Sequence, residues 1–122
     1  MKPTDAAAHA DPWWVICLCA EWCGVCREWR RVFEQLASAH PGLHFAWVDV
    51  EDEADAMGDV DIETFPTLLV AQGDSARFFG PVQPAASQVT RMLASLRAGP
   101  APAQAPAEAV ALLRRLAPVL SK

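Results

Sequence analysis

No stretch of this sequence approaches the roughly 20 consecutive apolar residues that a membrane-crossing helix needs. The first positions, Met1 to His9, hold one cation and no long apolar segment, so no signal peptide is expected. Positive charge is not in excess either. Ten Lys and Arg against 15 Asp and Glu give a formal net charge of -5, and the basic residues are scattered. That excludes a broad phosphate-binding face, and no nucleic-acid or membrane partner is expected. Internal repeats are missing. His9, His40 and His44 show no partner spacing, so no chemistry is assigned to them. What remains fits one small domain: 122 residues, 52% hydrophobic and 20% charged. With Met1 as the natural start, the expected location is cytoplasmic. There, four cysteines read as redox or metal chemistry rather than structural disulfides.

Two of those cysteines lie three apart, in Trp22-Cys23-Gly24-Val25-Cys26. Upstream, Trp13 to Ala20 is an almost unbroken apolar run, the pattern of a strand buried on both faces. Downstream, Trp29, Val32, Phe33 and Leu36 form a helical stripe within Arg27 to Ala39. The pair therefore falls where a buried strand ends and a helix begins. Free N–H groups and the helix dipole favour an anion at such a junction, and a thiolate is the anion available. Cys17 and Cys19 lie two apart on the strand and so share a face. Buried free cysteines act as small hydrophobes, which is their plainer reading. The run Cys-x-Cys-x3-Cys-x2-Cys also leaves a metal-binding domain as an alternative, although four thiolates would have to converge tetrahedrally.

In chain order, residues 1–12 read as a flexible arm. The strand and the helix from about Cys23 to Ala39 follow, and His40-Pro41-Gly42 stops the helix. Leu43 to Val50 reads as a second strand, parallel to the first through a right-handed crossover. The acidic stretch Glu51 to Glu63 holds a short helix from about Asp52 to Met57, ended by Gly58; its charge reads as a solvated face or a dock for a basic partner. A third strand follows Thr64-Phe65-Pro66, and a turn at Gln72-Gly73-Asp74 leads to a fourth, antiparallel strand over Ser75 to Phe79. Gly80-Pro81 breaks that run, and a helix is expected from about Pro84 to Arg97. Residues 98–107 form a Pro/Ala linker, and within 108–122 helical spacing returns at Ala109, Leu112, Leu113 and Leu116. That last helix either folds back over bare sheet surface or docks a partner; the liability of an uncovered apolar face favours folding back.

The segment Ala20 to Cys26 resembles the active-site segment of thioredoxins, and Phe65-Pro66-Thr67-Leu68-Leu69, about forty residues on, resembles their second motif. The resemblance covers roughly residues 13–97. It implies an α/β thioredoxin-like fold: a mixed sheet of about four strands flanked by helices, with a reduced N-terminal strand and helix and an extra C-terminal helix. It further implies a cis-proline at Pro66 and a thiol–disulfide oxidoreductase without a bound cofactor. Cys23 would attack a target disulfide and Cys26 would resolve the mixed disulfide. Trp22, Gly24, Val25, Phe65, Pro66 and Gly80 would shape the surface that receives the target, with Phe65 offering backbone groups by strand addition. The implied partners are protein disulfides and a reductase or small thiol that recharges the pair; a monomer and no resident metal are expected.

Four positions depart from the family. Val25 replaces the usual proline between the cysteines, which alters the redox poise. Cys17 stands where the family has a buried acid, and Trp47 where it has the accompanying lysine. Only 22 residues precede Cys23. Cys17 is therefore a candidate redox relay behind Cys26, and the alternative activity is a redox-sensitive binding or chaperone-like module with weak catalysis.

Overall fold

A strand whose two faces are both apolar needs a cover on each side, and the computed structural model supplies both. It describes residues 12–98 and 106–120. Apart from Pro12, the expected arm lies outside the described residues, as does most of the Pro/Ala linker. The elements are β1 (Trp13–Cys19), α1 (Gly24–Ala39), β2 (His44–Asp49), α2 (Ala54–Met57), β3 (Thr67–Gln72), β4 (Ser75–Pro81), α3 (Ala86–Ala98) and α4 (Ala107–Leu120). The sheet order is β2-β1-β3-β4. β1 pairs with β2 in parallel and with β3 antiparallel, and β3–β4 is an antiparallel hairpin. This is the mixed four-stranded α/β sheet expected from the sequence.

Alternation along β1 divides the core. Val15, Cys17 and Cys19 face a cluster with Trp29 and Phe33 of α1 and Val89 and Leu93 of α3. Ile16 and Leu18 face the opposite cluster, with Met57 of α2 and Ala109, Leu112 and Leu116 of α4. The C-terminal helix thus packs on its own sheet. Its hold on α2 is polar as well: the Arg115 guanidinium donates to the carbonyls of Ala56 at 2.6 Å and Met57 at 3.1 Å, satisfying acceptors that the end of a helix leaves open. Gly58 serves both needs of that corner. Its φ is 59°, and a Cβ there would meet the Arg115 guanidinium at 3.2 Å.

Element ends depart from the sequence reading in several places. β4 runs through Gly80 and Pro81 instead of breaking before them. Pro81 closes an edge strand, a place where the lost donor costs no ladder bond. The register slips between Val70 and Ala71, so Arg77 is the extra residue of a bulge. It lies over the Trp13 ring at 5.1 Å and donates to Gln72 Oε1 at 2.6 Å. The short helix begins at Ala54 rather than Asp52, and α3 begins at Ala86 rather than Pro84.

Leu112 is fully buried between α4 and the sheet. Leu112→Ala should lower the free energy of unfolding by about 2–5 kcal/mol, read by urea denaturation.

Candidate functional site

β1 leaves the sheet at Cys19, and the chain turns at residues 20–23 into α1. The Cys23 N–H donates to the Ala20 carbonyl at 3.0 Å, and the Cys23 carbonyl accepts from the Arg27 N–H at 3.1 Å. Cys23 is the N-cap residue, with extended φ and ψ of -84° and 119°. The N–H groups of the first helical turn therefore open beside it. Two side chains brace the turn. Arg27 donates to the Glu21 carbonyl at 3.0 Å. From the end of β2, Asp49 accepts from the backbone N–H groups of Glu21 at 2.9 Å, Glu51 at 2.8 Å and Asp52 at 3.1 Å. Burial alone would raise the Asp49 carboxyl, but these three donors outweigh it and hold the group below the usual carboxylate range.

Cys23 is half-buried and carries a free thiol. Cys26 is fully buried, one helical turn on, and is joined by a disulfide to Cys19, with the two Cα atoms 5.9 Å apart. The sequence places Cys17 behind Cys26; the structure puts Cys19 there. Both face α1, but Cys17 lies two residues further back along the strand, roughly 6.5 Å from Cys19. Its thiol instead donates to the Cys19 sulfur at 3.8 Å. Burial pushes the Cys17 thiol up to about 12. The buried Trp29 indole N–H, which has no acceptor at hydrogen-bonding geometry, offsets only part of that rise. Cys17 and Trp47, the positions where the family has its acid and lysine, are register partners across β1 and β2. Trp47 packs edge-on against Phe33 and under the Arg30 guanidinium.

Of the remaining positions singled out from the sequence, Trp22 and Phe65 are in contact. Trp22 is 62% exposed, donates its indole N–H to Glu51 Oε2 at 2.8 Å, and meets the Phe65 ring edge-on at 5.7 Å. That ring contact brings the two sequence motifs together. The Phe65–Pro66 bond is cis. Pro66 is buried, and its carbonyl accepts from the Val82 N–H at 3.1 Å. Gly24 opens α1, and Val25 is 47% exposed. Gly80 pairs with Leu68, and a Cβ there would make only ordinary contact with the Phe78 ring at 3.6 Å. Beside Cys26 a cavity of about 250 Å³ is walled in part by Arg27, Arg30, Asp49, Asp52 and Glu53. Among the described residues no group of three or more Cys, His, Asp or Glu side chains is arranged to hold a metal ion. None of their helices is long and apolar enough to cross a membrane.

The thioredoxin family pattern matches residues 4–92. The chain belongs to the thioredoxin family. Thioredoxin-1 of Caenorhabditis elegans is 32% identical over 57 residues, 47% of this chain and 50% of that protein. Thioredoxin H2-1 of Oryza sativa subsp. japonica is 32% identical over 69 residues, 57% of this chain and 50% of that protein. The chain spans about half the length of the curated relatives it matches. Among solved structures, thioredoxin f from spinach chloroplast in its long form superposes with a TM-score of 0.63 at 20% identity, covering 75% of each chain. Deadhead, the germline-specific thioredoxin of Drosophila melanogaster, superposes with a TM-score of 0.62 at 21% identity, covering 76% of this chain and 88% of that one. These two likenesses concern the thioredoxin fold.

Sequence reasoning missed two residues of this site. From the sequence Cys19 reads with Cys17 as a core hydrophobe; its place as the last residue of the strand, nearest the turn, is the available signal. From the sequence Asp49 reads only as part of a strand, although an Asp at a strand end is a natural acceptor for loop N–H groups. A carboxyl held below its ordinary pKa of about 3.9 stabilises the fold fully above that value and loses the contribution as pH falls through the folded-state pKa. Asp49→Asn should therefore be less stable than the parent at pH 7, and the gap should narrow as the pH drops below about 4, followed by thermal unfolding across that range.

Proposed function

We propose that this chain is a thiol–disulfide oxidoreductase acting on protein disulfides. The observation that carries the reading is a half-buried free thiol at the N-cap of α1, one turn before a buried cysteine and next in the chain to Trp22, whose ring meets Phe65. Cys23 is the nucleophile. Its sulfur attacks a target disulfide, forms a mixed disulfide, and expels the target's other sulfur as a thiolate. The Cys26 thiol, in the reduced protein, then attacks the Cys23 sulfur and releases the target in its reduced form. The cavity beside Cys26 offers a route by which water takes up the Cys26 proton, since neither Cys17 nor Trp47 supplies a base at the family's usual positions. Trp22, Gly24, Val25, Phe65, Pro66 and Gly80 form the receiving surface. In a reducing compartment such as the cytoplasm the pair runs as a reductant, recharged by a reductase or a small thiol.

A second reading has an observation of its own. With Cys26 bonded to Cys19, a target captured by Cys23 has no neighbouring thiol ready to release it, and the domain would hold the target as a redox-sensitive binding module. Turnover separates the two. The parent should reduce insulin disulfides in the presence of a thiol donor, and Cys23→Ser should fall to the rate of the donor alone in a turbidity assay. Full activity in Cys23→Ser would remove Cys23 from the nucleophile's role; a stable parent–target adduct without turnover would favour the binding module.

A further inference from the structure

Three sulfurs follow one another inward from the mouth of the site. Cys23 is half-buried at the N-cap, Cys26 is buried one turn along the same helix face, and Cys19 is buried at the end of β1 and bonded to Cys26. Residues three apart on a helix are neighbours on its surface, so Cys26 lies between a surface sulfur and a sheet sulfur. We propose that Cys26 exchanges its disulfide partner between Cys23 and Cys19, and that Cys19 is a second resolving cysteine that draws the bond into the core and returns Cys23 to the thiol state. The proposal rests on the exchange reading above, which supplies the oxidised Cys23–Cys26 pair.

The step needs no further oxidant. The Cys19 thiolate attacks the Cys26 sulfur of the Cys23–Cys26 disulfide. The Cys19–Cys26 bond forms, the Cys26–Cys23 bond breaks, and the electron pair leaves on Cys23 as its thiolate. The proton given up by Cys19 passes to Cys23 or to water. One disulfide is present before and after, so the oxidation level of the chain is unchanged. Cys17 has a supporting place: its S–H, 3.8 Å from the Cys19 sulfur, is a donor to the thiolate that the reverse step would leave on Cys19. Cys19 and Cys26 are both fully buried, so an external thiol meets the inward bond only after it has been passed back to Cys23. The inward register thus shelters one oxidising equivalent pair while leaving Cys23 free.

The test is a disulfide map of the intact wild-type protein after oxidation by a disulfide substrate such as insulin. Samples are quenched in acid, alkylated, digested and read by mass spectrometry, and native alkylation of Cys23 is measured alongside. The expected result is a Cys19–Cys26 cross-link, with Cys23 still taking up reagent in the native oxidised protein. In Cys19→Ala the cross-link should move to Cys23–Cys26 and native alkylation of Cys23 should disappear. A wild-type map containing only Cys23–Cys26, with Cys19 alkylated after unfolding, would overturn the proposal, and it requires no substitution to fold. Insulin reduction by the same wild-type sample reports on the exchange reading separately: turnover with only the outer cross-link would sink the inward transfer and leave the oxidoreductase standing, whereas an inward cross-link reached by refolding in air without any insulin turnover would sink the oxidoreductase.

Discussion

The passage of a fully buried strand into a helix within four residues is the constraint on which this structure depends. β1 has neighbours on both edges and apolar cover on both faces, so its end is fixed in position. The chain must then turn sharply without stranding polar backbone groups in the core. The Cys23 to Ala20 hydrogen bond, the Arg27 contact to Glu21 and the three donors on Asp49 satisfy that need. The consequence is chemical. The turn delivers a cysteine to the open end of a helix and sets its neighbour one turn deeper, against the sulfur that ends the strand.

The two faces of the sheet divide the labour. One face, with α1 and α3, carries every cysteine and most of the aromatic side chains. The other, with α2 and α4, is mainly aliphatic, with Trp14 and Phe79 at its margin, and anchors the corner at Gly58 through Arg115. Because α4 occupies this second face, the apolar surface behind β1 is covered from within the chain.

Much of this was legible in the residues. Apolar continuity in β1, the stripe at Trp29, Phe33 and Leu36, and the Gly73 turn each follow a local rule, and each fixed an element in its place. The resemblance assigns Trp22 and Phe65 to one receiving surface without implying a contact between them; their rings meet edge-on. The cysteine pairing was not legible. Period-two alternation states that Cys17 and Cys19 share a face, but which sulfur meets Cys26 depends on where the strand ends and how the helix crosses it, and no local pattern carries that information. Pro81 reads as a strand breaker for a similar reason: proline breaks an inner strand, and only the sheet order reveals that β4 is an edge. Asp49 was hidden because its partners come from a loop 28 residues earlier as well as from its own.

The half-buried Cys23 sulfur at the N-cap of α1 is the one we assign to engage a target. The measurement closest to that assignment is capture by Cys26→Ser, reduced and then mixed with a disulfide-bearing protein. The account predicts a stable adduct whose only new bond runs from Cys23 to a target cysteine, read by mass spectrometry of the cross-linked peptide. An adduct through Cys17 or Cys19, or none on Cys23, would contradict it.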